Sequence, residues 1–417
     1  MNLKHLYKNW LFWFKKQPRS LKWFLWLILL MPFISIFYDI KGEGALSPLQ
    51  IVGTLSFFIS LYHIITKRIK LLPYEIYFLI FSFIYILNHL FFFLNDLSLN
   101  NLGFVLRNVL PILFYFYLRR VVTSKAVFEG ILLTFLVSSI FPYGTYLYEF
   151  FFSPIQEVYV SESRGGFVRL TGFYADLFSY MAYILGDFII VSYFILKNGN
   201  KFKTHHILLL FGTTFIGIAG LSHQSSWAVF VSILLLLLFY MKKSRLLKKI
   251  LPYLIVVSLL GGPFFVNKFI KPLYAKEINA YEGKADKERM LNGRMIRWQQ
   301  YFKIWEDMSS FNKAFGVGFS GSVHSKSMMS GGMHSDYIRL GFGAGIFGLI
   351  SYLLFYKSVL FRRRKFYKSI SFIVTSSIII MLLYAVSANP LGSSGALIYL
   401  TMATFSFVAN NKIYGYR

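Results

Sequence analysis

Apolar residues in this chain come in runs of 17 to 25, divided by short polar connectors, and the runs recur from residue 21 almost to the end. A helix needs about 20 such residues to cross the roughly 30 Å hydrocarbon core of a bilayer. The runs therefore predict spans near 21–38, 49–66, 73–94, 102–118, 126–152, 172–196, 205–221, 225–241, 250–266, 336–356, 368–386 and 392–410. That makes an all-α integral membrane protein of about twelve helices, one polytopic domain over residues 1–417. Only Ser222 to Ser226 separates the pair 205–241, so a merger there would lower the count.

Composition agrees with the pattern. Of 417 residues 56% are hydrophobic and 15% charged, against about 25% charged in soluble proteins. Cysteine is absent, which removes disulfides and thiolate metal sites. The net charge of +27 could suggest nucleic acid, but 28 of the 44 Lys and Arg fall in seven short clusters between apolar runs, and none of the 17 acids does. Those clusters, from Lys4–Lys22 to Lys412 with Arg417, mark cytoplasmic segments by the positive-inside rule, and both termini are then inside. The long basic region before the first run predicts a retained helix rather than a cleaved leader. Trp10 to Trp13 beside Lys15 and Lys16 predict an amphipathic segment lying on the anionic inner leaflet.

Two outward connectors are not short. The first, Ser153 to Thr171, holds Arg164 and Arg169; the second, Asn267 to Ser335, has 69 residues with eleven basic and six acidic side chains. A loop of that length inside a compact domain is usually a lid or a working site. Within it, Gly293 to Met308 reads as a short amphipathic helix with Met295, Trp298, Phe302 and Trp305 on one stripe, for packing or for stacking on a sugar, and with Arg294, Arg297 and Tyr301 on its flank. The glycine pattern from Gly316 to Gly321 lacks the strand and helix of a dinucleotide fold and reads as a turn.

The loop ends in Gly331-Gly332-Met333-His334-Ser335-Asp336, followed by Gly341, Gly343, Gly345 and Gly348. A His-Ser pair, nine residues, Gly, two residues and Gly resembles the signature of bacterial O-antigen ligases and the related O-antigen and capsule polymerases. Arg169-Leu170-Thr171-Gly172 is similar to the start of a middle span in that family, and the layout of helices around one large loop is similar too. The resemblance implies a multi-pass protein of the bacterial inner membrane acting on glycans carried by undecaprenyl diphosphate. It implies a polymerase joining repeat units, or a ligase moving the finished glycan to lipid A core; a flippase for the lipid-linked unit is the alternative from another class. Ser222-His223 stands where members have Ser-Arg, and no arginine of the large loop precedes Leu at the ligases' distance. The second departure favours the polymerase, which a chain-length regulator would accompany.

The chemistry makes sense of the residues independently. Transfer of a sugar from diphosphate to a hydroxyl needs cations on the leaving group and a base at the attacking oxygen. Arginine suits the diphosphate through its paired hydrogen bonds, and Arg169 and Arg294 are expected in the catalytic set, with Arg164, Arg297, Arg339 and Arg107 as further diphosphate ligands. Arg107 lies inside a span, where it either serves the site or pairs with Asp176 or Glu149. His334 is the expected base, oriented by Asp336, unless it only caps the following helix. His223 is a second candidate, or else a helix junction. The acids of the large loop are scattered among lysines, so neither a metal nor another cofactor is expected. Asp187, deep in a span, calls for a partner across the bundle or a proton-relay role.

Overall fold

The computed structural model describes residues 3–39, 48–66, 69–95, 97–155, 158–159, 168–174, 177–198, 203–221, 223–242, 247–248, 252–253, 262–263, 266–267, 271–284, 290–317, 335–363, 366–387, 391 and 395–410. Its helices are α1 (Leu3–Lys15), α2 (Arg19–Ile34), α3 (Pro48–Thr66), α4 (Glu75–Asn95), α5 (Leu99–Val121), α6 (Lys125–Ser138), α7 (Ile140–Phe151) and α8 (Leu177–Asn198). They continue with α9 (Thr204–Leu221), α10 (Gln224–Met241), α11 (Lys271–Tyr281), α12 (Met290–Glu306), α13 (Ser310–Phe315), α14 (Asp336–Arg362), α15 (Lys368–Ser387) and α16 (Ala396–Asn410). A two-residue antiparallel pairing of Val158 with Arg169 and Tyr159 with Val168 is the single sheet among the described residues.

A helix stands at each expected span except 250–266, which lies mostly outside the described residues. Among the described residues eight helices are long and apolar enough to cross a membrane, and α3 and α16 are apolar but shorter over the stretches that qualify. The protein is a multi-pass membrane protein. Its centre is α16, buried from Ala396 to Ala409 and packed on α5, α6, α8 and α15. Around it α14 lies against α4, α3 against α5, and α10 against α15, with Phe58, Phe83 and Leu235 turned outward where lipid would be. Because lipid is as apolar as these side chains, packing and buried hydrogen bonds hold the helices together. Ser406 Oγ donates to Tyr115 O at 3.1 Å between α16 and α5.

The strongest such link was not evident from the sequence. Arg119 on α5 and Glu75 at the start of α4 form a buried ion pair, Nε to Oε1 at 2.7 Å and Nη2 to Oε2 at 3.0 Å. Tyr115 Oη donates to Glu75 Oε1 at 2.5 Å, Leu72 N to Oε2 at 2.7 Å, and Arg119 Nη2 to Lys70 O at 3.0 Å. Asn410 on α16 closes the group by donating to Arg119 O at 2.6 Å. Charges in such a setting need this degree of satisfaction, since removing one partner of a buried pair costs about 3–5 kcal/mol.

The amphipathic N-terminal segment differs from expectation. Trp10 and Phe14, one turn apart on α1, are buried against the bundle, and Trp10 Nε1 donates to Thr134 Oγ1 at 3.0 Å. Trp13 packs on Gly130 of α6, where a Cβ would lie 2.2 Å from its ring. Phe12, 62% exposed under the Lys16 ammonium, is left facing outward. The segment is docked on α6 by its tryptophans as well as amphipathic.

Candidate functional site

The end of the bundle from which residues 152–176 and 267–335 emerge gathers most of the predicted chemistry. It is organised by a break in α14. Gly345 has φ 66° and ψ −176°, so the helix is interrupted between a first half, 336–344, and the remainder. Gly316, which ends α13, has φ 85° and ψ 175° and lies directly against the break. Both are in a region open essentially to glycine alone, and a Cβ on Gly345 would come within 2.3 Å of Ala314 O. The carbonyls released by the break find partners: Val317 N donates to Phe342 O at 2.8 Å, and Asn88 Nδ2 donates to Gly343 O at 3.1 Å and to Phe315 O at 2.6 Å. The large loop is thereby fastened inside the bundle.

The first half of α14 is fastened to α15 in the same way. Ser335 Oγ donates to Ala385 O at 3.0 Å and Tyr337 Oη to Leu382 O at 2.9 Å. Asp336 Oδ2 accepts from Leu391 N at 2.7 Å, and its Oδ1 is 2.7 Å from Arg339 Nη2. Arg339 is buried and also donates to Asn108 Oδ1, which Tyr85 Oη reaches at 3.2 Å. Asp336 and Arg339, expected to orient the histidine and to hold diphosphate, are here engaged with each other and with the backbone.

The shorter connector arrives from the other side. Glu149, near the end of α7, accepts from Ile155 N at 2.9 Å and Gly172 N at 2.7 Å. Leu170 N donates to Gly220 O at 3.1 Å, which sets half-buried Arg169 beside the α9–α10 junction where His223 stands. His223 Nδ1 lies 2.9 Å from Ser226 Oγ; Ser226 and Tyr384 both hydrogen-bond the Met181 thioether, and Tyr384 meets Ser226 as well. Tyr384 precedes Ala385, the residue that receives Ser335. Arg169, His223 and Ser335, neighbour of His334, therefore converge on the same end of α15.

The remaining candidates stand as follows. His334 and Arg164 lie outside the described residues, as do Asp176 and the side chain of Arg107, although Arg107 directly precedes Asn108 on α5. Arg294 and Arg297 are half-buried on α12. The packed edge of that helix is rotated from the expected stripe: Tyr301 is 1% exposed and Phe302 58%. Tyr301 and Trp305 pack edge-on to Phe342 at 5.9 and 5.4 Å, with the indole passing close to Gly341. Arg297 and Arg294 continue the Tyr301 face at spacings of four and three, toward the start of α12. Asp187 is buried and hydrogen-bonded to Ser139, at the interruption between α6 and α7. Among the described residues no three His, Cys, Asp or Glu side chains are grouped as around a metal ion. Sequence reasoning missed Asn88, Asn108 and Tyr384; a polar residue inside an apolar run is the signal they share.

No curated protein matches the chain significantly. Residues 208–353, from α9 to the second half of α14, match the family model described as O-Antigen ligase. This stretch contains the α9–α10 junction, the large loop and the broken helix, so over about a third of its length this membrane protein is similar to the O-antigen ligase family.

Proposed function

We propose that the protein is a membrane glycosyltransferase that polymerises undecaprenyl-diphosphate-linked repeat units into O-antigen or capsular polysaccharide at the outer face of the bacterial inner membrane. The observation that carries this reading is the convergence of Arg169, His223 and the chain next to His334 on one end of α15, of which His223 and the chain next to His334 lie in the stretch matched to the family. In the reaction the acceptor sugar's hydroxyl gives its proton to His334 and its oxygen attacks C1 of the donor glycan. The C1–oxygen bond to the lipid diphosphate breaks, the new glycosidic bond forms from the opposite face, and the anomeric centre inverts. Arg169 and Arg294 hold the departing diphosphate, with Arg164, Arg297 and Arg107 around them, since paired guanidinium bonds strengthen as charge develops there. The carbohydrate chemistry needs no metal ion or other cofactor in this scheme.

The pairing of Asp336 with Arg339 alters one part of the expectation. With its oxygens committed to Leu391 N and Arg339, Asp336 acts on His334 through the backbone, by fixing the start of α14. The outward placement of the long loop, over 267–335, follows from the charge clusters. The family description itself supports the ligase as a second reading, with transfer of the finished glycan to lipid A core. No arginine of the large loop is followed, after three intervening residues, by leucine, and this favours the polymerase. Glycan profiling of a gene deletion separates them: a polymerase null leaves surface lipid with one repeat, a ligase null leaves none, and a flippase null leaves the unit on the inner leaflet. A chain-length regulator is the expected partner of the polymerase alone.

A further inference from the structure

Two large cavities lie outside the converged residues, one of about 670 Å³ between α4 and α13 and one nearer Arg169. The second is a groove of about 700 Å³ along α7, lined by Ile140, Phe141, Gly144, Thr145, Tyr148 and Phe173, a size typical of ligand sites. Ile140 is 67% exposed on the lipid-facing surface of the bundle, so an occupant can enter sideways from the bilayer. Counting from Lys125 at the start of α6, Ile140 is about 22 Å along the span, which puts the groove in the half of the hydrocarbon core nearest the loops. Gly144 supplies its depth: no atom lies within 4 Å of a Cβ placed there.

The upper wall connects the groove to the arginine. Gly172 passes so close over Thr145 that a Cβ would lie 2.8 Å from its Oγ1, and Phe173 stacks on Phe141 with the rings 6.1 Å apart. Arg169 is three residues before Gly172, at most about 10 Å of extended chain away. An apolar groove open to lipid, with a cation that favours phosphate within about 10 Å of chain from its wall, suits a molecule with a long hydrocarbon tail and an anionic head. The geometry points to this groove as the seat of the isoprenoid tail of the lipid diphosphate, with its head on Arg169. The inference rests on the proposed glycosyl transfer but places a part of the substrate that does not react.

The test uses the purified full-length protein and undecaprenyl diphosphate without a glycan as the probe. Gly144→Trp fills the groove and is expected to weaken binding by about tenfold or more, the equivalent of two buried methylene groups. Gly144→Leu should lose less in the same direction, and Gly53→Trp on α3, also without atoms within 4 Å of its Cβ, should bind as the unaltered protein does. Inorganic diphosphate should bind Gly144→Trp unchanged and Arg169→Ala more weakly. Equal binding of the lipid diphosphate by both Gly144 variants would overturn the groove and leave the arginine reading intact. So would loss of co-purified phospholipid alone from Gly144→Trp, which would make the groove a seat for bulk lipid. Failure of the unaltered protein to bind the probe would overturn the proposed function and the groove together.

Discussion

At the scale of single residues, the proposed chemistry depends on a proton acceptor and on cations that can grip a diphosphate. His334→Ala is expected to slow elongation by about 10²–10⁴-fold with the protein's membrane level unchanged, because that is the usual effect of removing a general base. His334→Gln keeps hydrogen-bonding capacity without a proton site near neutral pH, so it should be as slow as the Ala variant in single-turnover assays; elongation at the normal rate would reduce His334 to a positioning role. For Arg169 the informative comparison is Lys with Ala. Lys retains charge and loses the paired geometry, so Arg169→Lys should recover only part of the activity that Arg169→Ala loses, measured per molecule of protein in the membrane. Arg169 and His223 were readable in the sequence because charged and ring side chains stand out against apolar runs. What the sequence could not supply was that their segments lie side by side, which depends on a backbone bond from Leu170 to Gly220. Nor could it show that Asp336 is taken up by Arg339 and Leu391, since a carboxylate next to a histidine in sequence reads equally well as its partner.

At the scale of elements, the break in α14 divides a long helix in two and seats the end of α13 against it. The four glycines from Gly341 to Gly348 appear in the sequence as one motif, yet the structure gives them separate duties. Gly343 passes Tyr85 with a would-be Cβ at 2.9 Å, Gly345 breaks the helix against Gly316, a Cβ on Gly348 would lie 2.3 Å from that of Ala344, and Gly341 alone would admit a Cβ, at 3.7 Å from the Trp305 ring. Gly345→Ala must place a side chain in a glycine-only conformation, a strain of about 1–3 kcal/mol before any clash. It is expected to lower the thermal midpoint and to release α13, seen as faster labelling of a cysteine introduced at Ala314 in this cysteine-free chain. Unchanged melting and labelling would mean that the break can relax without loss. Helix positions were legible from apolar runs because length in a bilayer is set by its thickness. The pairing of helices was not, since lipid-facing and protein-facing residues are equally apolar here. The rotated edge of α12 has the same origin: Tyr301 and Phe302 are adjacent, and only the surface of α14 decides which is buried.

At the scale of the whole molecule, the account needs the loop end outside the cell's inner membrane and the basic end inside. A reporter fused after Lys313 should register as extracytoplasmic and one after Lys365 as cytoplasmic, since Arg362 to Lys365 is a strong inside anchor. The reverse pair of signals would move the converged residues to the wrong side of the membrane. The central claim is tested most directly by reconstituting the purified protein in vesicles with its lipid-linked repeat unit as the sole substrate and resolving the products by length. The account predicts a ladder of lengthening lipid-linked glycan, formed without added divalent metal, each new linkage inverted relative to the donor's diphosphate bond, and absent with His334→Ala. A single product made only when lipid A core is supplied, or a ladder undiminished in the His334 variant, would contradict it.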